Sequence, residues 1–507
     1  MTRKAHPRCT CDPFSAPRAE FEEIVGWLGG DEVPQTEAEV EKAIGERGTE
    51  LLRLLLQARL DVLFERERAD LAERRLPPGT VVRARERHLE TEFDRVVVRR
   101  HGITEPGAHA ARFPMDEQLN LPPGLYSYPL RERVSDEARR GAWDQVVEQV
   151  GSRTAGHVPK RQAEQIAMEA TQDFEAFYEQ RLPTANDTLS SEALLVASCD
   201  SKGIRMRPEA LREATRKAAE EDQAEALRGD PMAAKKLRLH DRRMAIVTAV
   251  WEQEPHRRGA KDILDNLRPA SDAKAKRRKS ARRSRAPRPE DKRLVASVQK
   301  SQAEGIVEMF DELDRRDPER ARPVIALVDG EEHQLAAIIA EEGKRGRQLT
   351  LVLDIIHVLS YLWGAGFALC GKNPKKTEVW VTRFLRKLLT QPVDSVIADI
   401  QRSLAQHALA AAARKPVDAC IRYFTGNAHW MRYPEFLAAG LPIATGVIEG
   451  ACRHLIQDRL GITGARWGLA GAEAILKLRA LHSNDHWDDY WRFHERREAA
   501  RNYARAA

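Results

Sequence analysis

The 507-residue chain has no run approaching ~20 uninterrupted apolar residues, so a membrane-spanning helix is not expected. No apolar stretch follows the opening Met1-Thr2-Arg3-Lys4-Ala5-His6-Pro7. That argues against a secretory signal and points to the cytoplasm. Cysteine is sparse: six are scattered along the chain, and only Cys9 and Cys11 lie close together. No second pair completes a zinc site, so reduced thiols are expected, with Cys199 and Cys452 as small apolar fillers. Net charge is a modest +6, so contact with a polyanion has to come from local patches rather than from the chain as a whole.

What the sequence does have is charge, helical periodicity and one concentrated basic block. Charged residues make up 32% and the hydrophobic set 42%, a balance that suits a largely helical chain of roughly two to four domains. Residues 274–288 hold nine Lys or Arg and no acid. Such a block cannot fold alone. Within a loop at 270–292 it reads either as a solvated linker or as a phosphate-seeking segment, with Arg277, Arg278, Arg282 and Arg283 as candidate DNA contacts.

Residues 1–90 read as a helical region in which Leu52, Leu56, Leu60 and Leu63 share one face, either core or a subunit contact. Pro77-Pro78-Gly79 ends it. Residues 91–130 look β-rich, around Phe93–Arg99 and Leu119–Tyr128. In 131–190, a helix from Ser135 to Val150, a connector and a second helix opening at Pro159 resemble a helix-turn-helix. Lys160, Arg161 and Gln162 would then stand at the reading end. The connector is longer than usual, and a plain helical hairpin explains the pattern as well.

From 191 to 485 the pattern becomes α/β. Ala193–Asp200, Met244–Trp251, Pro323–Asp329 and Leu349–Asp354 read as buried strands, three of them ending in Asp. Residues 358–440 are helical, with Trp363, Phe367, Trp380, Phe384 and Leu388 as apolar anchors. A further helix opens after Thr445-Gly446, carries Glu449 in its first turn, and closes at Gly461. Residues 486–507 read as a helical tail. This order approaches an RNase H-like core (α+β, or α/β) with a large all-helical insertion, preceded by a mainly helical DNA-binding region. One more strand before the second Asp would be needed, and the pattern does not reveal it.

In that fold the strands ending at Asp200 and Asp329 are neighbours, ~4.8 Å apart, and a later helix can bring Glu449 to both. Three gathered carboxylates repel one another unless a divalent cation lies between them, and oxygen ligands suit Mg²⁺ or Mn²⁺. Two ions ~3.5–4 Å apart would clamp an in-line phosphoryl displacement. Asp354 lies one strand further out, near ~10 Å from Asp200, so Asp329 is the expected second ligand. Gly330 beside it would leave room for a metal or phosphate. Arg453 could offset the acids or hold a phosphate. Arg466 and Trp467 could contact DNA, although a packed role explains Trp467 at least as well.

The segments Ile443–Leu455, Asp458-Arg459 and Thr463–Arg479, together with Val328–Gln334 and Asp354–Trp363, resemble insertion-sequence transposases of the Kra group. That group is related to the mutator-like transposases with a DDE triad. The resemblance covers about 191–482 and implies Asp200, Asp329 and Glu449 as that triad. It also implies an Asp-x-x-His element at Asp354 and His357, and a location at the bacterial nucleoid. The first acid is followed by Ser201-Lys202-Gly203 rather than directly by Gly. The expected function is therefore a DNA transposase that uses Mg²⁺ or Mn²⁺. Its expected partners are terminal-repeat and target duplex DNA and at least one further copy of itself, with no membrane partner. The competing expectations are a non-catalytic DNA-binding scaffold or repressor on the same fold, and a structure-selective nuclease.

Overall fold

The leucine-rich stripe finds its core against a β-hairpin. In the computed structural model, the described residues are 12–31, 36–181, 190, 192–229, 232, 240–267, 287–371, 373–407, 409–444, 446–462 and 464–503. Arg277, Arg278, Arg282 and Arg283 of the basic block lie outside them. The helix Glu37–Glu73 packs on β1 (Val81–Thr91) and β2 (Asp94–Thr104), which pair antiparallel. Leu60 and Leu63 meet Leu89, Val96, Val98 and Met115, whereas Leu52 and Leu55 stay exposed. The same helix seals the free edge of β2. The Gln57 amide accepts from Val97 N at 2.8 Å and donates to Val97 O at 2.9 Å, and Glu67 accepts from His101 N at 2.9 Å.

The paired region therefore begins well before Phe93. Its first strand is exposed over Val81–Glu86, so no buried alternation marks its start in the sequence. Leu119–Tyr128 forms no strand beyond an isolated bridge from Tyr126 to Glu90, and Pro122 and Pro123 offer no ladder donors. The helix expected over Ser135–Val150 is two helices, Tyr128–Ala138 and Trp143–Arg153. These pack with Lys160–Glu169 as a three-helix group. Helix Trp487–Tyr503 is no free tail. It buries Tyr490, Trp491 and His494 in a compact unit formed by Met1–Gln180 with His486–Ala507.

The second compact unit, Arg181–Asp485, is built on a mixed five-stranded sheet. Its strands are β3 (Leu194–Arg205), β4 (Arg242–Gln253), β5 (Glu290–Ser297), β6 (Val324–Val328) and β7 (Thr350–Leu353), in the order β5-β4-β3-β6-β7. β4 runs antiparallel to β3 and β5, while β6 and β7 run parallel to β3. The fold is thus α+β. β5 is a strand that the pattern did not reveal, because Glu290-Asp-Lys-Arg opens it with charge and Arg293 is itself buried. Helix Gln302–Arg316 follows, capped by Ser301 and Glu304.

Two boundaries differ from expectation in ways that matter. β3 does not stop at Asp200: it runs on to Arg205, paired with β4, and Asp200 stands opposite Val247. Ser201-Lys202-Gly203 stays extended because Arg242–Ile246 supplies a partner strand. Gly203 accommodates the Arg242 side chain, which a Cβ there would approach to 3.0 Å. The insertion consists of helices Ile355–Cys370, Pro374–Leu388, Val393–Ala405, Ala411–Gly426 and Tyr433–Ala438. Phe384, Leu388 and Phe424 are buried in it, but Phe367 is exposed rather than an anchor. No helix among the described residues is long and apolar enough to cross a membrane.

Candidate functional site

The site begins where the parallel strands end. The N–H of Asp354 still bonds Val328 O at 2.8 Å, continuing the β6–β7 ladder. Its Oδ1 accepts from Ile356 N at 2.7 Å, which caps helix Ile355–Cys370. This cap holds Asp354 at the sheet edge and sets His357 in the helix's first turn. Glu449 arrives on the helical stretch Gly446–Leu460, whose middle, Cys452–Gln457, is π-helical. Such a bulge re-aims the residues around it and is frequent at functional sites.

Asp354, His357 and Glu449 come together, with ligand atoms within 4.8 Å of one another. Asp354 is buried and His357 exposed. Glu449 Oε2 is buried with no hydrogen-bond partner. Burial first, and then the Asp354 carboxylate with which it shares a hydrogen bond, push the Glu449 carboxyl up to about 7. Two carboxyls this close resist being ionised together, and a cation between them relieves that repulsion. The donor set fits a divalent ion. Two carboxylates suit Mg²⁺ or Mn²⁺, and an imidazole favours Mn²⁺ of the two.

Asp354, expected as an accessory, is therefore the carboxylate that meets Glu449, while Asp200 and Asp329 are not members of that group. The topological premise does hold: β6 lies directly beside β3, with β7 one place beyond. Asp200 and Asp329 each stand two residues past the last parallel pair, Ser198–Leu327. Asp200 Oδ1 accepts from Ser201 N at 2.6 Å, and its Oδ2 accepts from the Cys452 thiol at 3.2 Å. Cys452 is thus no mere filler, and burial together with Asp200 keeps its thiol protonated. Asp329 Oδ1 accepts from Glu331 N at 2.9 Å, and its carbonyl accepts from Tyr423 OH at 2.5 Å.

The space expected at Gly330 is filled. The residue has φ +86°, and a Cβ there would lie 2.9 Å from Tyr423 and 3.0 Å from Asn427. The glycine serves a turn pressed against the helical insertion, not an opening for phosphate. Nothing in the order of residues marks Tyr423, since most of the insertion separates it from Asp329 along the chain. Gln334 was visible only as part of a motif. It is 1% exposed, and its side-chain amide donates to Cys199 O at 3.0 Å.

The outer residues divide. Arg453 is exposed and faces Asp458 at 3.6 Å, so its charge is directed along its own helix. Trp467 is 5% exposed, donates to Leu460 O at 3.3 Å, and has the Arg459 guanidinium over its ring at 4.7 Å. A ring packed in this way cannot stack on a base. Arg466 is exposed. On the three-helix group, Lys160 is tied to Asp144 at 2.8 Å, while Arg161 and Gln162 face solvent. A second acid–histidine group, Asp173, His494 and Glu498, already holds a cation: Arg501 pairs with Asp173 at 2.6 Å and with Glu498 at 2.5 Å. It pins helix Trp487–Tyr503. No family model matches the chain, and no curated protein is significantly similar to it.

Proposed function

We propose that the chain is a DNA transposase whose chemistry is metal-assisted phosphoryl transfer on an RNase H-like core. One observation carries this reading. A mixed sheet ordered β5-β4-β3-β6-β7 carries an acid on each of its three parallel strands, Asp200 within β3 and Asp329 and Asp354 just past the ends of β6 and β7, and a later helix delivers Glu449 against Asp354. The strand missing from the sequence pattern is supplied by β5. Asp354, Glu449 and His357 would hold a divalent ion, with Asp200 and Asp329 on the adjoining strands. That ion supplies positive charge to acidify a water or a DNA 3′-hydroxyl and to stabilise the leaving oxygen. The residues' own work is to fix the acids before DNA arrives: the Asp354 helix cap, the Cys452 thiol on Asp200 and Tyr423 on the Asp329 carbonyl each do so. Arg161 and Gln162 are the candidates for contact with base edges.

The test is incubation of the full chain with Mg²⁺ or Mn²⁺ and duplexes carrying its own flanking DNA. Nicks at the ends together with strand-joined products are expected. Glu449→Gln should lose both by about a hundredfold or more while still binding DNA. A wild-type rate of joining in that variant would refute the assignment. Cleavage without joining would leave a nuclease, and binding without either would leave a scaffold.

A further inference from the structure

Unlike Asp354, which caps a helix and meets Glu449, Asp200 does neither. It sits in mid-strand, two residues beyond the point where β3 stops pairing with β6. Along β3 the odd-numbered residues direct their backbone groups toward β6, as Leu195 N does in bonding Pro323 O at 3.0 Å. At Cys199 the ladder has ended, and its carbonyl takes the Gln334 amide instead, at 3.0 Å. Gln334 belongs to helix Glu332–Arg345, the element that follows Asp329. On the other side, Cys452 donates to Asp200 Oδ2 at 3.2 Å, and it lies on the helical stretch that carries Glu449. Both donors are buried, Gln334 at 1% and Cys452 at 3% exposure, so water does not compete for either contact.

We propose that Gln334 and Cys452 are positioning residues for Asp200, Gln334 reaching back from the helix that follows Asp329 and Cys452 from the helical stretch that bears Glu449. Gln334 ties the Asp329 turn to the backbone that carries Asp200. Cys452 ties the Glu449 helix to its carboxylate. Both are neutral donors, so they orient the acid without neutralising it as an Arg or Lys would. With Ser201 N on Oδ1, the carboxylate is held in one rotation, and its remaining lone pairs are left for a cation. The π-helical turn opens at Cys452 itself, which gives that irregularity a purpose.

The inference rests on the proposed metal-dependent reading, and direct Mn²⁺ binding to the full chain separates the two. Mn²⁺ affinity is read from the loss of the free-ion electron paramagnetic resonance signal, with thermal unfolding recorded in parallel. Removing a hydrogen bond behind a metal ligand characteristically weakens binding by about tenfold or more. Cys452→Ala and Gln334→Leu should each do so. Cys452→Ser keeps a donor and should stay within about twofold of wild type. If Gln334→Leu does not fold, the Cys452→Ala and Cys452→Ser pair decides the matter alone. Wild-type Mn²⁺ affinity in folded Cys452→Ala overturns the proposal. So does a serine variant as weak as the alanine one, which would mean that only thiol packing matters. Asp200→Asn with unchanged Mn²⁺ affinity would overturn the proposal as well, whereas the functional reading beneath falls only if Glu449→Gln also leaves Mn²⁺ affinity unchanged.

Discussion

Glu449 is the residue on which charge and structure press hardest. Its carboxyl ordinarily titrates at 4.5 and is pushed up to about 7 in the fold, by burial and then by Asp354. The folded protein therefore keeps a proton that the unfolded chain has lost between those values. The stability contributed by this group is full below about 4.5 and drains away as pH rises through about 7. Glu449→Gln is neutral at every pH and should not show that loss. Without divalent ions, the variant should exceed wild type by roughly 1–2 kcal/mol at pH 8, a figure discounted for a half-exposed group, and by little at pH 4.5. Urea unfolding at both pH values, with chelator present, measures the difference. An equal gap at the two pH values would argue that Glu449 and Asp354 share no proton. Its place in the first turn of an apolar-striped helix would by itself mark Glu449 only as a partner of the helix dipole, and it is the upstream strands ending in Asp that single it out in the sequence. Its meeting with Asp354 could not be read there, because residue order says nothing about which of two neighbouring strand ends a later helix will reach.

At the scale of elements, the strands that sequence exposes best are those buried on both faces. β6, Val324–Val328, is buried along its whole length, and a continuous apolar run of that kind is hard to miss. β1 and β5 escaped because one is exposed over half its length and the other opens with four charged residues. The extension of β3 past Asp200 was hidden for a different reason. Ser201-Lys202-Gly203 has the composition of a turn, and only the partner strand keeps it extended. The turn after β6 gives an element-scale prediction. Gly330 has φ +86° and meets Tyr423 and Asn427, whereas Gly464 has φ +81° with nothing within 4 Å. Gly330→Ala incurs both backbone strain and overpacking, about 3 kcal/mol or more, while Gly464→Ala incurs strain alone, about 1–2 kcal/mol. Denaturant midpoints of the two variants should separate accordingly. Equal losses would mean that the insertion does not press on the turn.

At the scale of the molecule, charge is segregated rather than abundant. A net +6 over 507 residues hides a block of nine basic residues at 274–288, set in the unit that carries the acids. Neutralising Arg277, Arg278, Arg282 and Arg283 to Gln should weaken binding to all duplex sequences alike. It should also flatten the log–log salt dependence by about 0.9 for each phosphate that is no longer neutralised. A filter-binding or fluorescence titration across salt concentrations reads the slope, and an unchanged slope would leave the block as a linker. The other molecular feature is that one compact unit is assembled from Met1–Gln180 and His486–Ala507, with the whole of the other between them in the chain. Tyr490, Trp491 and His494 are core residues of the first unit, yet they are made some three hundred residues after the rest of it. On the ribosome, that unit must wait with its core open until the acid-bearing unit has been synthesised. A polypeptide broken off during translation would then leave the first unit without its closing helix, so a prematurely ended product would have no finished copy of that unit.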